Sequence, residues 1–148
     1  MNEFDTLIEK FTLVNKLRIR IIKEIESYMG DINFTDYILL KKIIPAQRDL
    51  SMTEVSELTG FSNTLITFTV DNLEKKGYVF RQKGGDRRTY YIKVTDKGFA
   101  TYKKLDNTVT EVLNKIFEKI EPEDLEKLKK LLSELNGIID KYAEMKII

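Results

Sequence analysis

The sequence has neither cysteine nor histidine among its 148 residues. Without cysteine the chain can form no disulfide and no thiolate metal site, and it has no thiol that oxidation could switch. Without histidine it lacks the commonest metal ligand and the commonest general base at neutral pH. These two absences argue against a redox sensor, a transition-metal protein and many acid–base enzymes.

Motifs that hold nucleotide phosphates are also missing, since the sequence contains neither GxxxxGK(S/T) nor GxGxxG. Two groups of acids, Glu24 with Glu26 and those in residues 121–124, could perform acid–base chemistry without histidine. Both groups fall on a polar helix face or at a helix start, where acids complement the helix dipole. We interpret them as solvated surface charge, and we expect no enzyme activity, no metal and no cofactor.

Long apolar runs are absent, because no stretch approaches the roughly 20 consecutive apolar residues that a membrane-spanning helix needs. The first ten residues, MNEFDTLIEK, are mixed in charge and are not typical of a signal peptide. Hydrophobic residues nevertheless make up 42% of the chain, which is enough for a core. We expect a soluble cytoplasmic protein with no membrane partner, made of one domain or two small ones.

The formal net charge is only +1, but the charges are unevenly distributed. Residues 78–98 contain six basic and two acidic side chains, whereas residues 118–148 contain six basic and eight acidic ones. The positive charge is therefore concentrated in the middle of the chain. Such a local basic segment is typical of a nucleic-acid contact even where the whole chain is nearly neutral.

Apolar residues recur every three or four positions over residues 4–29, which predicts a long amphipathic helix that ends at Gly30. A second helix is predicted from a cap at Asn33 or Thr35 to a stop at Pro45, with a polar connection, AQRDL, after it. From Asp96 the helical period returns, and it continues beyond Pro122 as a heptad repeat of apolar residues.

Residues 51–76 have the pattern of a helix-turn-helix. SMTE (51–54) is a capping box, TGFS (59–62) breaks the first helix at Gly60, and Ser62 can cap the second. On the second helix the inward face is predicted to hold Ile66, Thr69, Val70 and Leu73. The outward face is predicted to hold Thr64, Thr67, Phe68, Asp71, Asn72 and Lys75. Two runs rich in β-branched and aromatic residues, 78–82 and 89–94, then flank the tip KGGDRR and predict a β-hairpin.

The stretch LEKKGYVFRQKGGDRRTYYIKVTDKG, residues 73–98, resembles the segment that defines the MarR family of transcriptional regulators. The matching positions are Leu73, Glu74, Gly77, Asp86, Arg88, Val94, Thr95 and Gly98. The resemblance implies a mainly α fold with a small β-hairpin, in which a winged helix-turn-helix is flanked by N- and C-terminal dimerisation helices. The implied DNA-binding region is residues 33–97, with its wing at 78–95, and the implied dimerisation region is residues 1–32 and 98–148.

The resemblance further implies a homodimer that binds a pseudo-palindromic site in double-stranded DNA, usually as a repressor. The helix after Ser62 would enter a major groove, and the wing would reach the neighbouring minor groove. Many family members release DNA when a small, often aromatic ligand binds between the two regions. Residues such as Phe11, Tyr37, Phe61 and Tyr102 could line such a cleft, although core residues have the same character.

A homodimer is also expected from the residues themselves. The first helix and the last two carry wide apolar faces, and a compact helix-turn-helix can cover little of them. Packing within one chain would account for a single buried face. We favour an intertwined, symmetric dimer, in which the same patch is used on both subunits.

The predicted DNA contacts divide between the wing and the second helix. Arg88 is predicted to enter the minor groove, with Asp86 holding its guanidinium through a bidentate pair. The phosphate contacts are predicted to come from Arg81, Lys83 and Arg87. The residues predicted to face the major groove are Ser62, Asn63, Thr64, Thr67 and Phe68.

The outward face of the second helix departs from the family pattern. Phe68 stands where many relatives have arginine, and Asn72 stands where many have a basic residue. In one interpretation this face reads a site rich in A·T pairs, with Asn63 on adenine and apolar groups on thymine methyls. In another, Phe68 belongs to a protein-docking surface and the chain binds no specific DNA. In a third, the helix is rotated and Phe68 is partly buried. The basic wing favours DNA.

Overall fold

The computed structural model describes residues 2–86, 88–143 and 145. Its helices are α1 (Glu3–Glu26), α2 (Phe34–Ile43), a short 3-10 helix (Ile44–Ala46), α3 (Met52–Thr59), α4 (Asn63–Lys75), α5 (Asp96–Phe117) and α6 (Pro122–Tyr142). Its strands are β1 (Leu50–Ser51), β2 (Val79–Lys83) and β3 (Tyr90–Val94). The predicted fold class, a mainly helical winged helix-turn-helix, is confirmed.

The helices begin where the sequence provides caps. Asn33 caps α2, and its side chain and that of Asp36 exchange hydrogen bonds with each other's backbone N–H at 2.8 and 3.2 Å. The predicted box at Ser51 and Glu54 forms at the start of α3, at 3.2 and 2.8 Å. At the start of α4 the hydroxyl of Ser62 accepts from the N–H of Leu65 at 3.2 Å. These side chains satisfy N–H groups that the helix itself leaves without partners.

The sheet has three antiparallel strands in the order β1-β3-β2. Strands β2 and β3 form the predicted hairpin, with Arg81 opposite Ile92. Strand β1 was not predicted: it pairs Leu50 with Ile92 on the other side of β3. Two residues are too short to show the alternation of a strand, and the connection AQRDL in fact ends in β1.

The core of the winged helix is built from α2, α3, α4 and the sheet. Its most completely buried apolar side chains are Leu39, Leu40, Leu50, Val55, Ile66, Val70, Leu73 and Val79. The inward face predicted for α4 is confirmed, since Ile66, Val70 and Leu73 are fully buried and Thr69 is nearly so. The direction of α4 is therefore set by one apolar face against this core.

The end of α4 is joined tightly to the wing and to α5. Gly77, in the left-handed region at φ 76°, donates its N–H to Glu74, and the N–H of Tyr78 bonds the carbonyl of Leu73 at 2.9 Å. This is a Schellman end. Thr95 donates its hydroxyl to the carbonyl of Gly77 at 2.7 Å and accepts from the N–H of Gly98 at 3.0 Å. Gly77, Thr95 and Gly98, which belong to the motif in residues 73–98, thus hold the end of α4, the wing and the start of α5 together.

The chain forms two compact units, residues 1–110 and 111–148, with the division inside α5. In the first unit, α1 buries Ile25 alone among its residues. Ile21 and Ile22 are half-buried, and the apolar side chains from Phe4 to Ile19 are exposed. In the second unit, α6 has no buried residue, and its heptad positions Leu128, Leu132, Leu135 and Ile139 are exposed. Within the described parts of the chain, no helix is both long and apolar enough to span a bilayer.

We expect Gly98→Ala to destabilise the protein. A Cβ there would lie 2.1 Å from the carbonyl oxygen of Tyr78 and 2.9 Å from Cγ1 of Val94, so backbone must move. This overpacking should lower the free energy of unfolding by about 1–3 kcal/mol, measured by urea titration. Gly85→Ala is the matched control, because its Cβ meets nothing within 4 Å and should change stability by less than about 0.5 kcal/mol. Equal midpoints for the two variants would contradict the tight joint.

Candidate nucleic-acid interface

The outward face of α4 presents an open groove lined by Asn63, Thr64, Thr67, Phe68 and Asp71, which we call the recognition surface. Phe68 is 69% exposed, so the interpretation in which the helix is rotated and Phe68 is buried is wrong. The hydroxyl of Thr67 donates to the carbonyl of Asn63 at 2.9 Å, which commits its proton to the helix. Ser62, the cap, is exposed at the edge of this surface.

Asn72 does not belong to the recognition surface, although its spacing placed it on the outward face. Its amide Nδ2 donates to the carboxylate of Asp36 on α2 at 3.2 Å. Asp36 is only 1% exposed, and burial raises the pKa of its carboxyl despite hydrogen bonds from Asn33 and Asn72. The Nδ2 group of Asn72 thus joins α4 to α2 and gives the buried carboxylate of Asp36 a hydrogen-bond donor.

Arg81, predicted to bind phosphate, is used inside the protein. Its guanidinium forms ion pairs with Asp71 at 2.6 Å and Glu74 at 2.7 Å, and its side chain is only 20% exposed. Its backbone N–H also donates to Glu74 at 2.9 Å. Arg81 therefore ties β2 to α4 and neutralises the two acids that α4 carries near the recognition surface. Arg81 is therefore not an unpaired cation, and its predicted phosphate contact stays a prediction.

Asp86 orders the wing tip by a different contact from the predicted one. Its carboxylate accepts from the backbone N–H groups of Arg88 and Thr89 at 2.9 and 2.7 Å, and from the hydroxyl of Thr89 at 2.8 Å. These bonds, with the hydroxyl of Thr89 first, hold the pKa of Asp86 below its ordinary value. No ion pair joins Asp86 to the guanidinium of Arg88 in the described structure.

The basic side chains of the wing and of the start of α5 are not equally available. At the base of the wing Lys93 is paired with Asp49. Lys97 lies over the ring of Tyr78 and donates to the carbonyl of Lys76 at 2.7 Å. Lys83 and Arg88 are exposed and form no ion pair within the described residues. Arg87, also predicted to bind phosphate, lies outside the described residues. Within the described residues, the unpaired positive charges of the wing therefore lie toward its tip.

A polar cluster that the sequence did not reveal joins α2 to α5. Tyr37 donates its hydroxyl to Asp106 at 2.7 Å, and Lys41 donates to both, at 3.0 and 2.9 Å. The hydroxyl of Tyr37 and the ammonium of Lys41 hold the pKa of Asp106 below its ordinary value. Tyr102 stacks on Tyr37 with ring centroids 6.1 Å apart, and it lines an open cleft on α5 with Phe99 and neighbouring residues.

The residues suggested for an effector cleft differ in how far they are buried. Tyr37 is buried in the cluster, Phe61 and Tyr102 are half-buried, and Phe11 is exposed on α1. The cluster could not be predicted, because its members are separated by up to 69 positions and each has ordinary helical spacing.

No protein-family model matches the sequence. The chain is similar in structure to the transcriptional regulator BldR from Sulfolobus solfataricus, with 26% identity and a TM-score of 0.70, over 90% of this chain and 99% of that one. A MarR-like transcription regulator from Bacillus cereus matches with 19% identity and a TM-score of 0.81, over 90% and 98% of the two chains. A mutant of MarR from E. coli, complexed with operator DNA, matches with 19% identity and a TM-score of 0.78, over 91% and 99%.

We expect the wing tip to lose order in acid. Because the folded pKa of Asp86 lies below its ordinary 3.8, its hydrogen bonds contribute fully above that value and are lost as the pH falls through the folded pKa. The measurement is an NMR titration of the amide signals of Arg88 and Thr89, with that of Gly85 as a reference for general unfolding. Both signals should shift together with a midpoint below 3.8. A midpoint at or above that value would show that the carboxylate does not hold the turn.

Proposed function

The chain has the winged-helix fold of the MarR-family regulators, and from that premise we propose that it is a homodimeric, DNA-binding transcriptional regulator. The observation that carries the proposal is the juxtaposition of an exposed α4 face with a wing whose exposed cations, Lys83 and Arg88, are unpaired within the described residues. In helix-turn-helix proteins such a helix enters the major groove, while neighbouring cations contact the backbone or the minor groove.

The proposal includes a symmetric dimer. Both α1 and α6 leave apolar side chains exposed along their length, and contiguous exposed apolar patches mark interaction surfaces. A second copy would bury them, and two winged helices could then bind two half-sites of an inverted repeat. The predicted dimerisation region, residues 1–32 and 98–148, and the predicted DNA-binding region, residues 33–97, remain the working division of the chain.

The proposal has three further parts: the protein represses transcription, it is cytoplasmic, and a small aromatic ligand releases it from DNA. They rest on the family resemblance. The open cleft beside Tyr102 supports the ligand, because an aromatic ring could stack there near the polar cluster of Tyr37, Lys41 and Asp106.

A second candidate function is docking of another protein, and the exposure of Phe68 favours it, since interfaces are enriched in aromatic residues. Selection of binding sites from a random duplex library at moderate salt distinguishes the two. A DNA regulator should enrich an inverted repeat whose half-sites are about 10 base pairs apart. Sedimentation of the same sample should give a mass of two chains. A folded dimer that enriches no sequence would favour the protein-docking module.

Lys83→Ala should weaken binding to all duplexes alike, because an exposed ammonium on β2 can contact phosphate but reads no base. The slope of log Kd against log salt should flatten by about one. Lys93→Ala is the matched control: its ammonium is already paired with Asp49, so the slope should change less. A sequence-selective loss in Lys83→Ala would contradict a phosphate contact.

Arg88→Ala should weaken binding to the selected site by about 1–3 kcal/mol, the range of a good groove contact. Its guanidinium is exposed at a tip that Asp86 holds in place through the backbone, so the arginine needs no partner of its own. Competition titrations against random duplex measure the loss of specificity. An unchanged preference for the selected site would remove Arg88 from groove recognition.

A further inference from the structure

The recognition surface has no cation available for reading guanine. The commonest specific contact in the major groove is arginine or lysine bound to O6 and N7 of guanine. On α4 no basic residue precedes Lys75, which lies in the last turn. The guanidinium of Arg81 lies beside this surface, but it forms ion pairs with Asp71 and Glu74. Guanine therefore has no charged donor to bind on this face.

The same surface offers apolar groups at its centre. Phe68 lines the groove and is 69% exposed. Thr67 has committed its hydroxyl proton to the carbonyl of Asn63, so it can offer a base only its methyl group and an acceptor oxygen. Phenylalanine rings and threonine methyls are the side-chain groups that pack on the C5-methyl of thymine.

Asn63 supplies the complementary polar contact. It is the first residue of α4, it is exposed, and its side-chain amide makes no hydrogen bond within the described residues. The N-terminal residues of a recognition helix are those that contact base edges. A free asparagine amide can bond N6 and N7 of adenine in a bidentate manner.

The ion pair between Asp71 and Arg81 completes this surface. A bare carboxylate would repel the phosphates and could accept from the amino group of cytosine. Because the guanidinium of Arg81 lies 2.6 Å from Asp71, that carboxylate is neutralised in place. The surface is thus close to neutral and apolar, and adenine and thymine are the bases that fit it.

We propose that the recognition surface reads thymine methyl groups through Phe68 and Thr67 and adenine through Asn63, so that each half-site is rich in A·T pairs. The inference rests on the proposed function and adds the class of base sequence to it. Phe68 is its specificity-determining residue, because it presents an apolar ring where a basic side chain would favour guanine.

The test compares thymine with uracil, which differs from it only by lacking the C5-methyl. The probe is the duplex enriched from the random library, synthesised with thymine or with uracil in its half-sites, and binding is followed by fluorescence anisotropy. For the unaltered protein, Kd should rise roughly fourfold for each contacted methyl that is removed. Uracil outside the half-sites should have no effect.

Phe68→Ala should bind the thymine duplex more weakly and should lose the sensitivity to uracil at the position that Phe68 contacts. Leu58→Ala is the control, since it removes an exposed apolar side chain from α3, outside the recognition surface, and should keep the thymine preference. The uracil series on the unaltered protein needs no variant, so the inference stays testable if Phe68→Ala fails to fold.

The outcomes separate the inference from the proposed function. An enriched site with G·C-rich half-sites, or equal affinity for thymine and uracil duplexes, would overturn the methyl reading and leave the DNA regulator standing. A folded protein that enriches no duplex would overturn both, and the exposed Phe68 would then belong to a protein-docking surface.

Discussion

The close approach of Gly98 to the carbonyl of Tyr78 is the constraint on which the placement of α4, the wing and α5 depends. A Cβ at position 98 would lie 2.1 Å from that oxygen. The start of α5 can therefore come this close to the chain after α4 only because residue 98 is glycine. Thr95 bonds both sides of this joint, and Gly77 provides the turn between α4 and β2. These contacts hold α4, the wing and the start of α5 in fixed relative directions, so the proposed contacts of α4 and the wing with DNA would be made from one rigid support.

Ion pairs inside the winged helix decide which charges remain for a partner. Arg81 and Lys93 neutralise acids of neighbouring elements, and the carboxylate of Asp86 is used by the backbone of the tip. Although the net charge of the chain is nearly zero, its basic side chains therefore serve two different purposes. Structural cations lie at the base of the wing, and those left over, Lys83 and Arg88, lie toward its tip. Affinity would come from the tip and discrimination from the uncharged face of α4.

Features that depend on neighbours in sequence were predictable, and those that depend on distant partners were not. The capping boxes at Asn33 and Ser51 and the inward face of α4 follow from local spacing. The partner of Asn72 lies 36 positions away, so its inward hydrogen bond has no local signal. Glu74, a motif residue, accepts from Arg81 seven positions on, which identity alone does not reveal. The placement of α4 beside the wing could thus be predicted, while the contacts of single residues required coordinates.

Hydroxyl-radical footprinting of the selected duplex tests most directly whether α4 and the wing read adjacent grooves as one body. Because the radical attacks sugars in the minor groove, each half-site should show protection flanking the major groove that α4 enters, and Arg88→Ala should lose only that protection. A footprint without minor-groove protection, or one that Arg88→Ala leaves unchanged, would contradict the account.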